Sequence, residues 1–296
     1  MKQLRTYGLA AVMFSALAVS APVLAGPQTD VNVYDGLGNL IAADVAKFQW
    51  TDVNAVAVGK GPFGSDPTAD PNPFDFYYQA VLTSFLDRDN NLIFGAQSPD
   101  YQFTVAAQLQ ELAVLTGPNS ASFTPQSGTI SIFFDDFSAG GVAANAADGT
   151  GYTDGVEVAR FTIVGGTSSF TLVDAGTGLG STNFDFELVT ALDFVLDEYI
   201  EGVLGSVFDL HFTSQLAYPP IGTLPSGYFT STTDPDSPYQ PYIVNADEDL
   251  YLQVQGSNIF TTVPEPGSLV LLSLGLLGLG FVVRRSRVVG GQSLVA

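Results

Sequence analysis

The chain has 296 residues, no cysteine, one histidine (His211) and a formal net charge of −21 at pH 7. The lack of cysteine excludes disulfides, thiol nucleophiles and cysteine-ligated zinc or iron–sulfur centres, and a single histidine excludes multi-histidine metal sites. The chain has 9 Lys and Arg residues and 30 Asp and Glu residues. Nucleic acid is therefore excluded as a partner, since phosphate binding needs clustered basic side chains.

Residues 1–25 have the layout of a secretory signal peptide. Lys2 and Arg5 precede an almost unbroken stretch of apolar and small residues, which ends at Ala25. The stretch is shorter than the ~20 residues of a helix that spans a bilayer. We therefore predict export through the Sec translocon and cleavage by signal peptidase between Ala25 and Gly26.

Residues 26–262 form the predicted ectodomain, which is more acidic than the whole chain. This part of the chain contains 4 basic and 29 acidic residues, which gives it a net charge of −25. Such a charge favours solubility and a surrounding layer of cations. The length is sufficient for one domain with a core that needs no disulfides.

Short runs of β-branched and aromatic residues, separated by Gly, Pro, Asn, Asp and Ser, indicate a mainly β ectodomain. Period-2 alternation predicts a single antiparallel β-sandwich or jelly-roll-like domain. Strands are predicted at 76–86, 100–115, 129–134, 156–163, 168–173, 207–213 and 250–254. Long loops are predicted at 61–73, 138–155 and 218–241, with the second too polar to pack, and a short helix is predicted at 193–205.

Asp87, Asp89 and Asn91 have the spacing with which calcium loops supply three oxygen ligands. Leu92 and Ser98 occupy the positions where an EF-hand requires Gly and Glu, so an EF-hand is excluded. Two interpretations stay open. One is a Ca²⁺ site, and the other is a polar hairpin turn, which Asp and Asn favour because they tolerate left-handed backbone conformations.

Two other acidic groups, 135–136 and 247–249, predict at most millimolar binding of divalent cations. Beyond Ca²⁺, no cofactor is predicted.

Catalysis is not predicted, because His211 lies within a predicted strand and no G-x-S-x-G motif is present. A polysaccharide-active enzyme would need two facing carboxylates, and neither Asp185 with Glu187 nor 197–198 stands out as such a pair. A carbohydrate-binding module is a further alternative. Its contacts would come from tyrosines in the long proline-rich loop, with Tyr228 and Tyr239 the better candidates.

An apolar stretch at 268–283 follows a short motif and precedes an arginine cluster. As a helix it would be about 24 Å long, and arginines at its end can reach the lipid headgroups. The sequence thus predicts a membrane-inserted apolar helix with the ectodomain outside. The motif and the cluster consist of Val263, Pro264, Glu265, Pro266, Gly267, Arg284, Arg285 and Arg287.

This arrangement over 263–287 closely resembles the PEP-CTERM sorting signal of Gram-negative bacteria. The resemblance implies an exosortase as partner, which recognises and removes the tail, and an association with exopolysaccharide. Residues 288–296 form a tail that extends beyond the usual end of such signals. Residues 127–135 and the acidic turn at 245–249 also resemble a flocculation-associated subgroup of PEP-CTERM proteins.

Together these patterns predict a non-enzymatic exported protein of the cell surface or extracellular matrix. The resemblance implies that the chain is held transiently in the inner membrane before processing. Its expected role is in biofilm or floc formation with exopolysaccharide.

Overall fold

The structure is a computed structural model that describes residues 28–60, 73–96, 98–117, 120–172, 180–203, 206–212, 217–218 and 225–260. These ranges contain strands and one short 3₁₀ helix, Phe137–Ala139, and no α-helix. The strands are β1 Val31–Tyr34, β2 Leu40–Val45, β3 Lys47–Ala57, β4 Phe74–Leu86, β5 Leu92–Gly95, β6 Tyr101–Gly117, β7 Ser120–Asp136, β8 Val156–Leu172, β9 Gly180–Val195, β10 Ile200–Glu201, β11 Ser206–Phe212, β12 Ala217–Tyr218, β13 Gly227–Tyr228, β14 Tyr242–Ile243 and β15 Leu250–Phe260.

Most strands belong to one antiparallel sheet that closes on itself. Along the sheet, β3, β4, β6, β7, β8 and β9 follow each other in chain order, and β11 and β15 lead back to β3. The closing contact is the pairing of β9 with β11, from Thr190 opposite Ser206 to Phe184 opposite Phe212. The mainly β, antiparallel fold is therefore confirmed.

The interior of the closed sheet is filled by alternate residues of its strands. Ile130 and Ile132 of β7 point inward. An aromatic group surrounds Phe48, with edge contacts to Trp50, Phe85 and Phe260. Each buried aromatic side chain removes 150–250 Å² of surface from water, so this group is a major source of stability.

A small sheet of β1, β2 and β10 covers one end of the closed sheet, which we call the cap end. Val33 of β1 and Ile200 of β10 are opposite each other, and both are fully buried in the same core. Main-chain hydrogen bonds fix this sheet to the strand ends, from Thr29 N to Phe260 O (2.9 Å) and from Ala46 N to Leu86 O (2.9 Å).

The outer face of β4, β6 and β7 is covered by two long segments, the β7–β8 loop (137–155) and the outer segment (225–249). Gln79 of β4 accepts from Phe229 N (3.1 Å) and donates to Gly227 O (3.5 Å). Gln102 of β6 donates to the carbonyls of Val142 and Gly151 (both 3.1 Å). Polar side chains on this face thus form hydrogen bonds with main-chain groups of the two covering segments, and these groups would otherwise bind water.

Replacing Gln102 by leucine is expected to lower the free energy of unfolding by about 2–4 kcal/mol. The reason is that the buried Gly151 carbonyl and the partly buried main chain of Val142 and Ala144 lose their partner. Urea unfolding measures the change. Gln126→Leu is the matched control, since Gln126 is exposed on β7 and its replacement should cost less than about 0.5 kcal/mol. Equal effects of the two variants would contradict the role given to Gln102.

Three predictions of local structure are wrong. No helix begins at residue 193, because β9 continues to Val195 and Ile200 is needed as a buried residue of the cap sheet. The two strands predicted at 156–163 and 168–173 are a single strand, β8, which passes the glycines through a bulge after Ile163. The loop at 138–155 does pack, and Tyr152 within it is only 2% exposed.

Candidate functional site

The predicted processing sites lie outside the described residues, so the structure does not test them. They comprise the cleavage site Ala25–Gly26, the motif Val263, Pro264, Glu265, Pro266 and Gly267, and the arginines Arg284, Arg285 and Arg287. The apolar helix predicted at 268–283 lies there too. Within the described part of the chain, no helix has the length and apolar character needed to span a bilayer.

The turn between β4 and β5 has the hairpin geometry that one interpretation of Asp87, Asp89 and Asn91 predicted. The Asp87 carboxylate accepts hydrogen bonds from Asp89 N (2.9 Å), Asn91 N (2.8 Å) and Asn91 Nδ2 (2.9 Å). These donors lower the pKa of Asp87, with Asn91 the largest cause. Asn90 adopts φ 63°, the left-handed conformation that asparagine tolerates. Three hydrogen bonds to one carboxylate therefore hold the turn in its hairpin geometry.

A second turn repeats this geometry. Asp35 accepts from Leu37 N (2.8 Å), Asn39 N (3.0 Å) and Asn39 Nδ2 (2.7 Å). Leu37 stands where the first turn has Asp89, so the second turn lacks the extra carboxylate. The pair offers a natural comparison for the calcium prediction, which remains a prediction.

Millimolar Ca²⁺ is expected to raise the melting temperature of the protein by about 1–3 °C through the β4–β5 turn, as a millimolar site would. Asp89→Asn should abolish the part of the shift that depends on this turn, whereas Asp44→Asn, at an exposed carboxylate outside both turns, should retain it. A melting temperature that EDTA and Ca²⁺ leave unchanged would remove the calcium interpretation.

The other acidic groups are partly used for structure. Asp136 caps the 3₁₀ helix by accepting from Ser138 N (2.8 Å). Asp135 is 4% exposed and accepts from Gln102 Nε2 (3.2 Å); its pKa is raised, first by burial and then by the nearby Asp154. Among the described residues, no group of three or more carboxylates or histidines is placed to hold a metal ion.

The prediction that Tyr228 and Tyr239 are surface contacts is wrong. Their exposures are 0% and 1%, because their rings cover the apolar outer face of the sheet around Tyr77 and Phe133. The Tyr239 hydroxyl donates to Ser131 Oγ (2.6 Å), so even its polar atom faces inward. The loop tyrosines therefore belong to a second core.

A polar cleft of about 350 Å³ lies beside this second core. Glu157 and Arg160 lie on one wall, where Arg160 Nε donates to Glu157 Oε1 (2.7 Å). Behind this wall, the buried Ser131 Oγ donates to the same oxygen (2.5 Å). The guanidinium is thus neutralised by its neighbour, and its pKa is raised first by that hydrogen bond. The rim carries carboxylates and hydroxyls, from Thr153, Asp154, Ser231, Thr232, Asp234 and Asp236. Sequence patterns did not single out this cleft, since its walls come from segments far apart in the chain.

Glu111 is the most unusual buried group. It is 1% exposed within the closed sheet, its Oε1 accepts no hydrogen bond from the described residues, and burial raises its pKa to about 8. Its neighbours across the sheet are Phe74 and Pro125. The signal was present in the sequence, because period 2 from Phe103 and Leu109 places residue 111 inward.

The family model described as the PEP-CTERM protein-sorting motif matches residues 262–286. The match contains the motif from Val263 to Gly267 and two of the three arginines. No curated protein and no solved structure matches the chain. The chain is therefore an exported, surface-directed protein that carries a PEP-CTERM sorting signal for processing by an exosortase.

Proposed function

We propose that the processed protein is a non-enzymatic component of the cell surface or extracellular matrix of a Gram-negative bacterium, and that it contributes to biofilm or floc formation with exopolysaccharide. The sorting motif at 262–286 is the observation that supports this role most directly. An ectodomain with a net charge of −25 suits a hydrated matrix in which divalent cations link anionic chains. The likeness of 127–135 and 245–249 to the flocculation-associated subgroup supports the same role.

The test compares the protein in its native host with a strain that lacks the exosortase. In the parent strain, intact mass should show a product without residues 1–25 and without the arginine cluster, located outside the inner membrane. In the deletion strain the unprocessed C-terminus should remain in that membrane. Deleting the gene for this protein should then reduce biofilm mass or floc size, whereas unchanged aggregation would contradict the matrix role.

Carbohydrate binding is the second candidate function. The polar cleft is its proposed site, in place of the loop tyrosines, which are buried. Its carboxylates and hydroxyls suit sugar hydroxyls, and Phe133 and Tyr239 form its apolar base. We expect the exopolysaccharide of the host to retard the protein in affinity electrophoresis, and Asp154→Asn to reduce the retardation severalfold. Asp197→Asn, at an exposed carboxylate outside the cleft, is the control. Equal retardation of both variants would exclude the cleft.

A further inference from the structure

Both ends of the described chain lie at the cap end. Thr29 N donates to Phe260 O (2.9 Å), so the start and the end of the ectodomain are adjacent. Only seven residues, 261–267, separate Phe260 from the apolar stretch at 268–283 that is predicted to enter the membrane. Fully extended, the chain from Phe260 to residue 268 spans at most about 28 Å. Before processing, the cap end is therefore the part of the ectodomain nearest to the bilayer.

The cap end also carries exposed apolar side chains on two hairpins. Leu92, Ile93 and Phe94 of β5 are 65%, 36% and 46% exposed, and Leu37 and Leu40 of the β1–β2 hairpin are 83% and 55% exposed. β5 is at this end because Leu92 is opposite Leu86, and Leu86 is opposite Lys47 at the start of β3. Five of the ten large apolar residues that are exposed in the described part of the chain are thus in these two hairpins.

The charges around these hairpins do not form a basic surface. Arg88 pairs with Asp30 (2.7 Å), and Lys47 donates to Asn90 Oδ1 (3.4 Å). The neighbouring Asp35 and Asp87 remain ionised because hydrogen bonds within their turns lower their pKa values. Attraction to anionic headgroups is therefore absent, and any lipid contact must depend on apolar burial.

We propose that the hairpins of the cap end insert shallowly into a zwitterionic lipid surface while the C-terminal segment is in the membrane. The inference rests on the membrane-held stage of the proposed function. Shallow insertion of a few side chains gives only low affinity to a free domain, but the short connection to the membrane supplies a high effective concentration. Contact at the cap end would fix the ectodomain upright and hold the chain after Phe260 close to the bilayer surface, where a membrane enzyme acts.

Because the chain has no cysteine, single cysteines can report this contact in the full chain. The unprocessed protein is purified from an exosortase-deficient host and reconstituted in phosphatidylcholine vesicles that contain a doxyl-labelled lipid. Leu92→Cys and Leu37→Cys carry an environment-sensitive fluorophore, and Val114→Cys is the control, because Val114 is 47% exposed on β6 far from the cap end. We expect at least threefold stronger quenching at positions 92 and 37 than at position 114.

Replacing part of the phosphatidylcholine by phosphatidylglycerol should reduce the quenching at low salt, and high salt should restore it. If quenching is equal at all three positions in vesicles that carry the protein, the lipid contact is wrong while the sorting function stands. Label self-quenching at position 92 that disappears on dilution would instead assign the hairpin to a second copy of the chain. Protein that fails to float with the vesicles would overturn the membrane-held stage together with this inference.

Discussion

Glu111→Gln is expected to make the protein more stable than the parent protein above pH 8, by up to roughly 5 kcal/mol. The reason is the buried carboxyl within the closed sheet, whose pKa burial raises to about 8 from an ordinary value of 4.5. Between these two values the unfolded chain loses its proton at Glu111 and the folded chain keeps it. The contribution of the Glu111 carboxyl to the free energy of unfolding is therefore fully present below about pH 4.5, and it decreases as the pH rises toward 8.

Urea unfolding of the parent protein and of Glu111→Gln across pH 4.5 to 9 measures this difference. Glutamine keeps the shape and cannot ionise, so the gap between the two proteins should open by roughly 1.4 kcal/mol per pH unit at most. Asp135 has a raised pKa in both proteins, so its contribution cancels in the comparison. Glu248→Gln, at an exposed carboxylate, should follow the parent protein at every pH. Parallel curves for the parent protein and Glu111→Gln would show that the carboxyl is hydrated or paired in the folded state.

The alternation of apolar residues predicted most of the strands because it reports directly which face is buried. Ile130 and Ile132 share the inward face of β7, and the apolar pair Phe133 and Phe134 is buried on opposite faces, each in its own core. Alternation gives no information on whether a sheet packs against another or closes on itself. That depends on the pairing of β9 with β11, which local patterns do not encode.

The outer layer was not predictable for a different physical reason. A glutamine that points outward from a strand has the same pattern whether it contacts water or the main chain of a distant loop. Gln79 and Gln102 are examples, because both point outward from their strands and both are buried by segments that arrive from elsewhere in the chain. The sequence also predicted that Tyr228 and Tyr239 are exposed, because proline-rich segments usually lie on the surface.

The candidate sites divide in the same way. The sorting motif is contiguous and was recognised from the sequence, whereas the polar cleft joins Arg160 of β8 with Asp234 of the outer segment. A cleft of this kind exists only once the outer segment is in place. The turn at Asp87 lies between these cases, because its hydrogen bonds follow from the local sequence, whereas the sequence alone does not decide whether it binds Ca²⁺.

Asp249→Ala is expected to lower the free energy of unfolding by about 3–5 kcal/mol, because it removes an acceptor that is 2% exposed and leaves its donors unpaired. The carboxylate accepts from Gly59 N (3.0 Å), Tyr242 Oη (2.7 Å) and Asn245 N (2.8 Å), so it ties the outer segment to the end of β3. Hydrogen bonds to a charged acceptor contribute more than neutral ones, and three of them converge here.

Asp247 supplies the control for this variant, since it belongs to the same acidic turn and is exposed. Asp247→Ala should change stability by less than about 0.5 kcal/mol. Limited proteolysis should cut the outer segment of Asp249→Ala before the rest of the ectodomain, because the second core around Tyr228 loses its attachment at this point while the interior of the closed sheet is untouched. If Asp249→Ala instead matches Asp247→Ala in stability and in cleavage, the Asp249 carboxylate does not anchor the outer segment, which is then held by its other contacts, such as those of Gln79 and of the Tyr239 hydroxyl.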